Sequence, residues 1–101
     1  MPTRLRVDIA GYHHIINRGV NRCDIFNSSD DKDTFLLIVN KSATLHKVTL
    51  HDYCLMDNHY HLLIETVKEN LSIFMRIVNA NYAKCFNKKY KRSGHIFGCN
   101  S

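Results

Sequence analysis

Two hydrophobic periods alternate along this chain. A period of two marks strands. Between Gly11 and Gly19, Tyr12, His14 and Ile16 share one face while His13, Ile15 and Asn17 share the other. Val20–Phe26 then reads as a polar loop pinned by Ile25 and Phe26. Ser28-Ser29-Asp30-Asp31 is a helix start, a hydroxyl cap followed by acids where the helix dipole favours them. Asp30, Asp31 and Asp33 are accordingly read as capping rather than metal binding. Phe35, Ile38, Val39 and Leu45 set the apolar stripe of a helix ending near Leu45 to Lys47.

Val48–Met56 returns to strand. Val48, Leu50, Cys54 and Met56 oppose Thr49, His51, Tyr53 and Leu55, with the pattern broken at Asp52. A tight turn at Met56-Asp57-Asn58 leads into a third strand through Glu65, whose Tyr60, Leu62 and Ile64 form an apolar face. Asn70 is expected to cap a second helix. Its stripe of Leu71, Phe74, Met75, Val78, Tyr82 and Cys85 runs to about Tyr90 and stops before Ser93-Gly94. His95-Ile96-Phe97 is expected to begin a fourth strand. Residues 1–10, with Arg4 and Arg6, are a basic arm or a lead-in to the first strand. Strand, helix, strand, strand, helix and an incipient strand make an α+β chain. The order is the ferredoxin-like, split βαβ sandwich, an antiparallel sheet with two helices on one face.

Composition narrows the class. The 101 residues suffice for one core, and 45% hydrophobic with 23% charged residues is an ordinary globular balance. No apolar run approaches a membrane span, and Met-Pro-Thr-Arg-Leu-Arg lacks the apolar centre of a signal peptide, so the expected location is cytoplasmic. Cys23, Cys54, Cys85 and Cys99 contain no C-x-x-C pair, which disfavours a zinc ribbon. Cys54 and Cys85 are expected to face the core as inert thiols.

Lys plus Arg number 14 against 9 Asp plus Glu, a net charge of +5, which points to an acidic partner with nucleic acid first. Arg18 and Arg22 flank the loop after the first strand, either solvated or contacting phosphate. Lys84, Lys88, Lys89, Lys91 and Arg92 crowd the end of the second helix without one acid. That exceeds what capping needs, and a phosphate-facing patch is the favoured reading. His59 and His61 lie two apart on the third strand, so both imidazoles leave one face. A His-x-His pair alone is a weak signal. On a hairpin of a basic domain it can clasp a divalent ion that polarises a phosphate oxygen, with positions left open. Two imidazoles suit manganese or zinc, and magnesium when a substrate phosphate joins.

Tyr12-His13, Asn17-Arg18-Gly19, Asn21-Arg22 and Asp24-Ile25-Phe26 form the first part of an ordered motif set. Tyr53-Cys54-Leu55-Met56, Asn58-His59-Tyr60-His61-Leu62-Leu63, Tyr82-Ala83, Phe86-Asn87-Lys88 and Gly94-His95-Ile96-Phe97 complete it. Together these resemble the single-tyrosine HUH transposases, and within them the REP-associated tyrosine transposase-like branch. The resemblance covers about residues 11–97. It implies the ferredoxin-like core and a divalent metal, magnesium or manganese, on His59 and His61. It also implies single-stranded DNA with a hairpin as substrate, cut and rejoined through a 5′-phosphotyrosine link. Insertion-sequence relatives in this family act as dimers and REP-associated ones as monomers, so a homodimer stays open.

The chain departs from the family after Gly94-His95-Ile96-Phe97. Members continue with Gln-Gly-Arg-Tyr and a further helix bearing the nucleophilic tyrosine; here Gly98-Cys99-Asn100-Ser101 follows. The expectation is a single HUH domain over residues 1–101 lacking the C-terminal part of the family domain. Asp57 stands where the family usually has proline. Tyr82 and Tyr90 are weak candidates for a replacement nucleophile. Tyr82 reads as core, Tyr90 lies in the basic patch, and strand alternation turns Tyr60 away from its histidines. His13 is a candidate polar neighbour of the metal, though more readily structural. Three functions follow: a transposase domain, catalytic or inactive; a binding module for hairpin DNA; or an RNA-binding domain, which the lack of a clear aromatic pair on the central strands counts against.

Overall fold

The hairpin forms where period-two alternation meets a turn, and the sheet is built around it. The structure, a computed structural model, describes residues 11–98. The expected basic arm, Arg4, Arg6 and Cys99 lie outside the described residues. Strand β1 is Gly11–Arg18, helix α1 is Ser29–His46, strand β2 is Val48–Met56, strand β3 is His59–Thr66 and helix α2 is Leu71–Tyr90. A single 3-10 turn occupies Val20–Arg22 between β1 and α1. The sheet runs β1-β3-β2, antiparallel throughout, so the His-bearing strand is central.

The core fills the space between the sheet and the helices. Tyr60, Leu62 and Ile64 of β3 are fully buried, as are Phe35 and Val39 of α1 and Phe74 and Val78 of α2. Ile25 and Phe26 pin the β1–α1 loop into the same cluster, as their spacing indicated. Their backbone N–H groups both donate to the Asp57 carbonyl, which ties this loop to the β2–β3 turn. Burying side chains of this size stabilises by about 1.5–3 kcal/mol each relative to exposure.

Helix ends follow the sequence signals with one exception. Ser28 Oγ accepts the Asp31 N–H at the start of α1. Asn70 holds the N-cap position of α2, but its side chain makes no capping bond. Its Nδ2 donates instead to the His46 carbonyl at 3.0 Å, closing the C-terminus of α1. Both helices end on lysines in the left-handed region, Lys47 at φ 57° and Lys91 at φ 51°.

Three expectations are corrected. The break in β2 falls at His51, not Asp52: Leu50 pairs with Ile64 and Asp52 with Leu63, so His51 is the extra residue of a bulge. The bulge inverts the alternation, since paired residues share a face. Beyond it Tyr53 and Leu55 take the helix side opposite Leu62 and Tyr60, while Cys54 and Met56 take the open side. Cys54 is therefore exposed rather than core-facing. Cys85 is exposed as well, because the buried stripe of α2 advances in steps of four through Phe74, Val78, Tyr82 and Phe86. Among the described residues, His95-Ile96-Phe97 contributes not a strand but one antiparallel bridge, Phe97 to Gly19, outside β1. That bridge sits on the free side of β1, where a fourth strand of a ferredoxin-like sheet belongs. No helix among the described residues is long and apolar enough to cross a membrane.

Candidate functional site

The open face of the sheet, away from the helices, carries alternate residues of each strand. From β1 it shows Tyr12, His14, Ile16 and Arg18, and from β3 His59, His61, Leu63 and Glu65. His59 and His61 thus leave one face together, while Tyr60 between them plunges into the core. Their ring centroids are 5.2 Å apart with planes at 73°. Tyr60 anchors the strand from beneath. Its hydroxyl donates to Asn79 Oδ1 at 2.7 Å and accepts from Asn17 Nδ2 at 3.3 Å. Burial pushes the Tyr60 phenol well above its usual range, so it stays protonated.

Each imidazole is held by its Nδ1. His59 Nδ1 lies 2.8 Å from Asn58 Oδ1, an acceptor, so Nδ1 carries the proton and Nε2 keeps its lone pair. His61 Nδ1 lies 3.2 Å from His14 Nε2, with the two rings stacked at 5.3 Å. With His61 donating there, its Nε2 is free as well. Burial, then the charges of His59, His14 and Arg18, lower the His61 pKa from its ordinary value, which favours the neutral ring. Two imidazoles, oriented through their Nδ1 atoms and partly exposed, are a donor set that fits a divalent cation with open positions. Among the described residues no group of three His, Cys, Asp or Glu side chains could hold a metal ion.

Sequence reasoning missed Asn58 and His14. Asn58 directly precedes His59 in the motif, and the turn aims it back at that ring. His14 was legible only through register: it lies diagonal to His61, whereas His13 is on the helix-side face opposite Ile64. His13 is therefore no neighbour of the pair.

Arg18 pairs with His59 in register on the open face. Arg22 follows on the exposed 3-10 turn with φ 61°. The other cations lie on the helix layer. Lys84, Lys88, Lys91 and Arg92 are exposed along and just beyond the end of α2. Lys89 donates to Asp31 Oδ1 at 2.8 Å, and the Tyr90 hydroxyl donates to Asp31 Oδ2 at 2.6 Å. The end of α2 therefore packs on the start of α1. Both sit at the same end of the molecule as the β2–β3 turn, linked through Ile25, whose carbonyl accepts the Tyr82 hydroxyl. Tyr82 is 1% exposed and burial raises its phenol far above the normal range, so it packs rather than reacts. An open groove of about 830 Å³ lies elsewhere, on the helix side between β1, α2 and residues 94–98.

Residues 9–99 match the family described as IS200-like transposases. The chain belongs to that family. Among solved structures it is similar to a REP-associated tyrosine transposase bound to a REP hairpin. The TM-score is 0.72 at 12% identity, covering 99% of this chain and 58% of that one. This transposase chain therefore spans less than two thirds of its structural relative, and at that identity the likeness concerns the fold. No curated protein matches the chain significantly. The strand order and the two helices on one side agree with the ferredoxin-like expectation.

Proposed function

We propose that this chain is the nucleic-acid-binding and cation-holding core of a transposase acting on single-stranded DNA with a hairpin. The observation that carries the reading is the pair His59 and His61, presented on the open face with both Nδ1 atoms engaged. His59 and His61 would hold magnesium or manganese, which would supply Lewis-acid chemistry toward the scissile phosphate. The protein's own part is positional. Asn58 and His14 orient the rings, Tyr60 fixes the strand, and Arg18 stands beside His59 to receive a phosphate oxygen. Lys84, Lys88, Lys91 and Arg92 extend the contact along the backbone at the same end, with Arg22 on the adjoining turn. Lys89 joins them only in part, since Asp31 already engages it.

The tyrosines favour a second statement within this reading: these residues bind, and cleavage needs a tyrosine from outside them. Tyr60 and Tyr82 are buried, Tyr90 is committed to Asp31, Tyr53 pairs with Leu62 on the face of the sheet opposite the imidazoles, and Tyr12 lies beside Glu65. The test is retention of a labelled hairpin oligonucleotide across a salt series, followed by a denaturing gel with manganese. The expected result is affinity for the hairpin that falls steeply with salt and drops further in Arg18→Ala, with no covalent adduct. Salt-independent binding, or equal affinity for any duplex, would contradict the DNA reading. An adduct abolished by Tyr90→Phe would overturn the assignment of the nucleophile elsewhere.

A further inference from the structure

The open face carries a second cluster, at the opposite end of β3 from the turn. The bulge in β2 pushes His51 out of phase, and its Nε2 comes to 2.9 Å from Glu65 Oε1. Tyr12 is the direct cross-strand partner of Glu65 and is 67% exposed. Its ring centroid is 5.3 Å from that of His51, with planes at 38°. The Tyr12 ring is thus fixed on a strand, flanked by a second ring and open to stacking on its exposed side. The neighbouring carboxylate is not simply solvated. His51 holds one oxygen in place, and the other has no partner among the described residues.

We propose that Tyr12, His51 and Glu65 form a nucleobase subsite. The base stacks on Tyr12, and the second Glu65 oxygen accepts a hydrogen bond from its exocyclic amine, a group that cytosine carries and thymine lacks. Single-stranded nucleic acid is the occupant because only unpaired bases offer both a bare π-face and a free edge. A carboxylate accepts from the cytosine amine and has nothing to accept from the carbonyl of thymine at the same place. Charge supports the same occupant, since the chain is net +5 and Arg18 shares the face. Glu65 is four residues from His61 along β3, about 13 Å at the usual rise of about 3.3 Å per residue. A strand whose phosphate rests at the imidazoles would place a base a few nucleotides away here. The proposal rests on the single-stranded DNA reading above and adds which base is read and where.

Fluorescence anisotropy with dye-labelled oligothymidine carrying one cytosine, moved position by position, tests it. In the wild-type chain one position of the cytosine should tighten binding by about tenfold, the scale of one good base contact. Glu65→Gln should abolish that preference while keeping affinity for plain oligothymidine. Tyr12→Ala should weaken all the oligonucleotides by about tenfold, and Tyr12→Phe should not. All three side chains are on the surface, and circular dichroism melts confirm that each variant folds. A cytosine preference that survives in Glu65→Gln, or a Tyr12→Ala variant binding like wild type, overturns the subsite and leaves the DNA reading intact. Failure of the wild-type chain to bind any oligonucleotide overturns both.

Discussion

Asp31 ties the start of α1 to the end of α2. The sequence marks it as an acid in the first turn of α1, and that is correct as far as it goes. What spacing along one helix does not reveal is that its side chain is buried and its carboxylate accepts from three partners: the Asn27 N–H, Lys89 and Tyr90. Burial works to raise its pKa, but the bonds from Lys89, Tyr90 and Asn27 outweigh that and hold it below the ordinary 3.8. The unfolded chain therefore takes up the proton first as pH falls. The stabilisation from Asp31 is complete above pH 3.8 and drains away as pH drops toward the lowered native value. Asp31→Ala should lower stability at pH 7 by about 2 kcal/mol, because three donors lose one acceptor. It should also flatten the acid limb of a plot of urea midpoint against pH. An unchanged acid limb would show that Asp31 is not the group responsible. Tyr60→Phe should cost about 1 kcal/mol by leaving Asn17 and Asn79 short of a partner, measured by urea unfolding.

The elements were legible where one signal dominated. Alternating side chains located β1 and β3 to within a residue, and the Asn58-His59 boundary fell where the turn residues placed it. β2 was harder, because a bulge adds one residue without any compositional mark. His51 is as polar as its neighbours, and only pairing with β3 shows that the phase changes there. The same limit explains Cys54; Asn70 donates through Nδ2 to the His46 carbonyl, and its Oδ1, the capping acceptor, has no partner among the described residues. The helix C-termini yield a prediction of their own. Lys47 sits at φ 57°, ψ 46°, a conformation that costs an L-residue about 1 kcal/mol and glycine nothing. Lys47→Gly should raise the thermal midpoint by a few degrees, for a gain of about 0.5–1 kcal/mol. A fall in the midpoint would mean that the lysine side chain contributes more than its backbone strain costs.

At the scale of the molecule, the arrangement separates two tasks. The helix layer and loop pins hold the β2–β3 turn rigid through Asp57, Ile25 and Tyr82. The open face is left clear of both helices, with the imidazoles and Arg18 at one end and the Tyr12 cluster at the other. The His-x-His spacing was enough to find the pair, because a strand fixes which side chains leave together. It could not find His14, which arrives from another strand 47 residues away. Manganese titration followed by calorimetry tests the central claim most directly, that His59 and His61 together grip one divalent cation. One site per chain should appear in the wild type and vanish in His59→Ala and in His61→Ala, while Asn58→Ala weakens it by about 10–100-fold as an orienting group should. An isotherm unaltered by either histidine substitution would contradict the account.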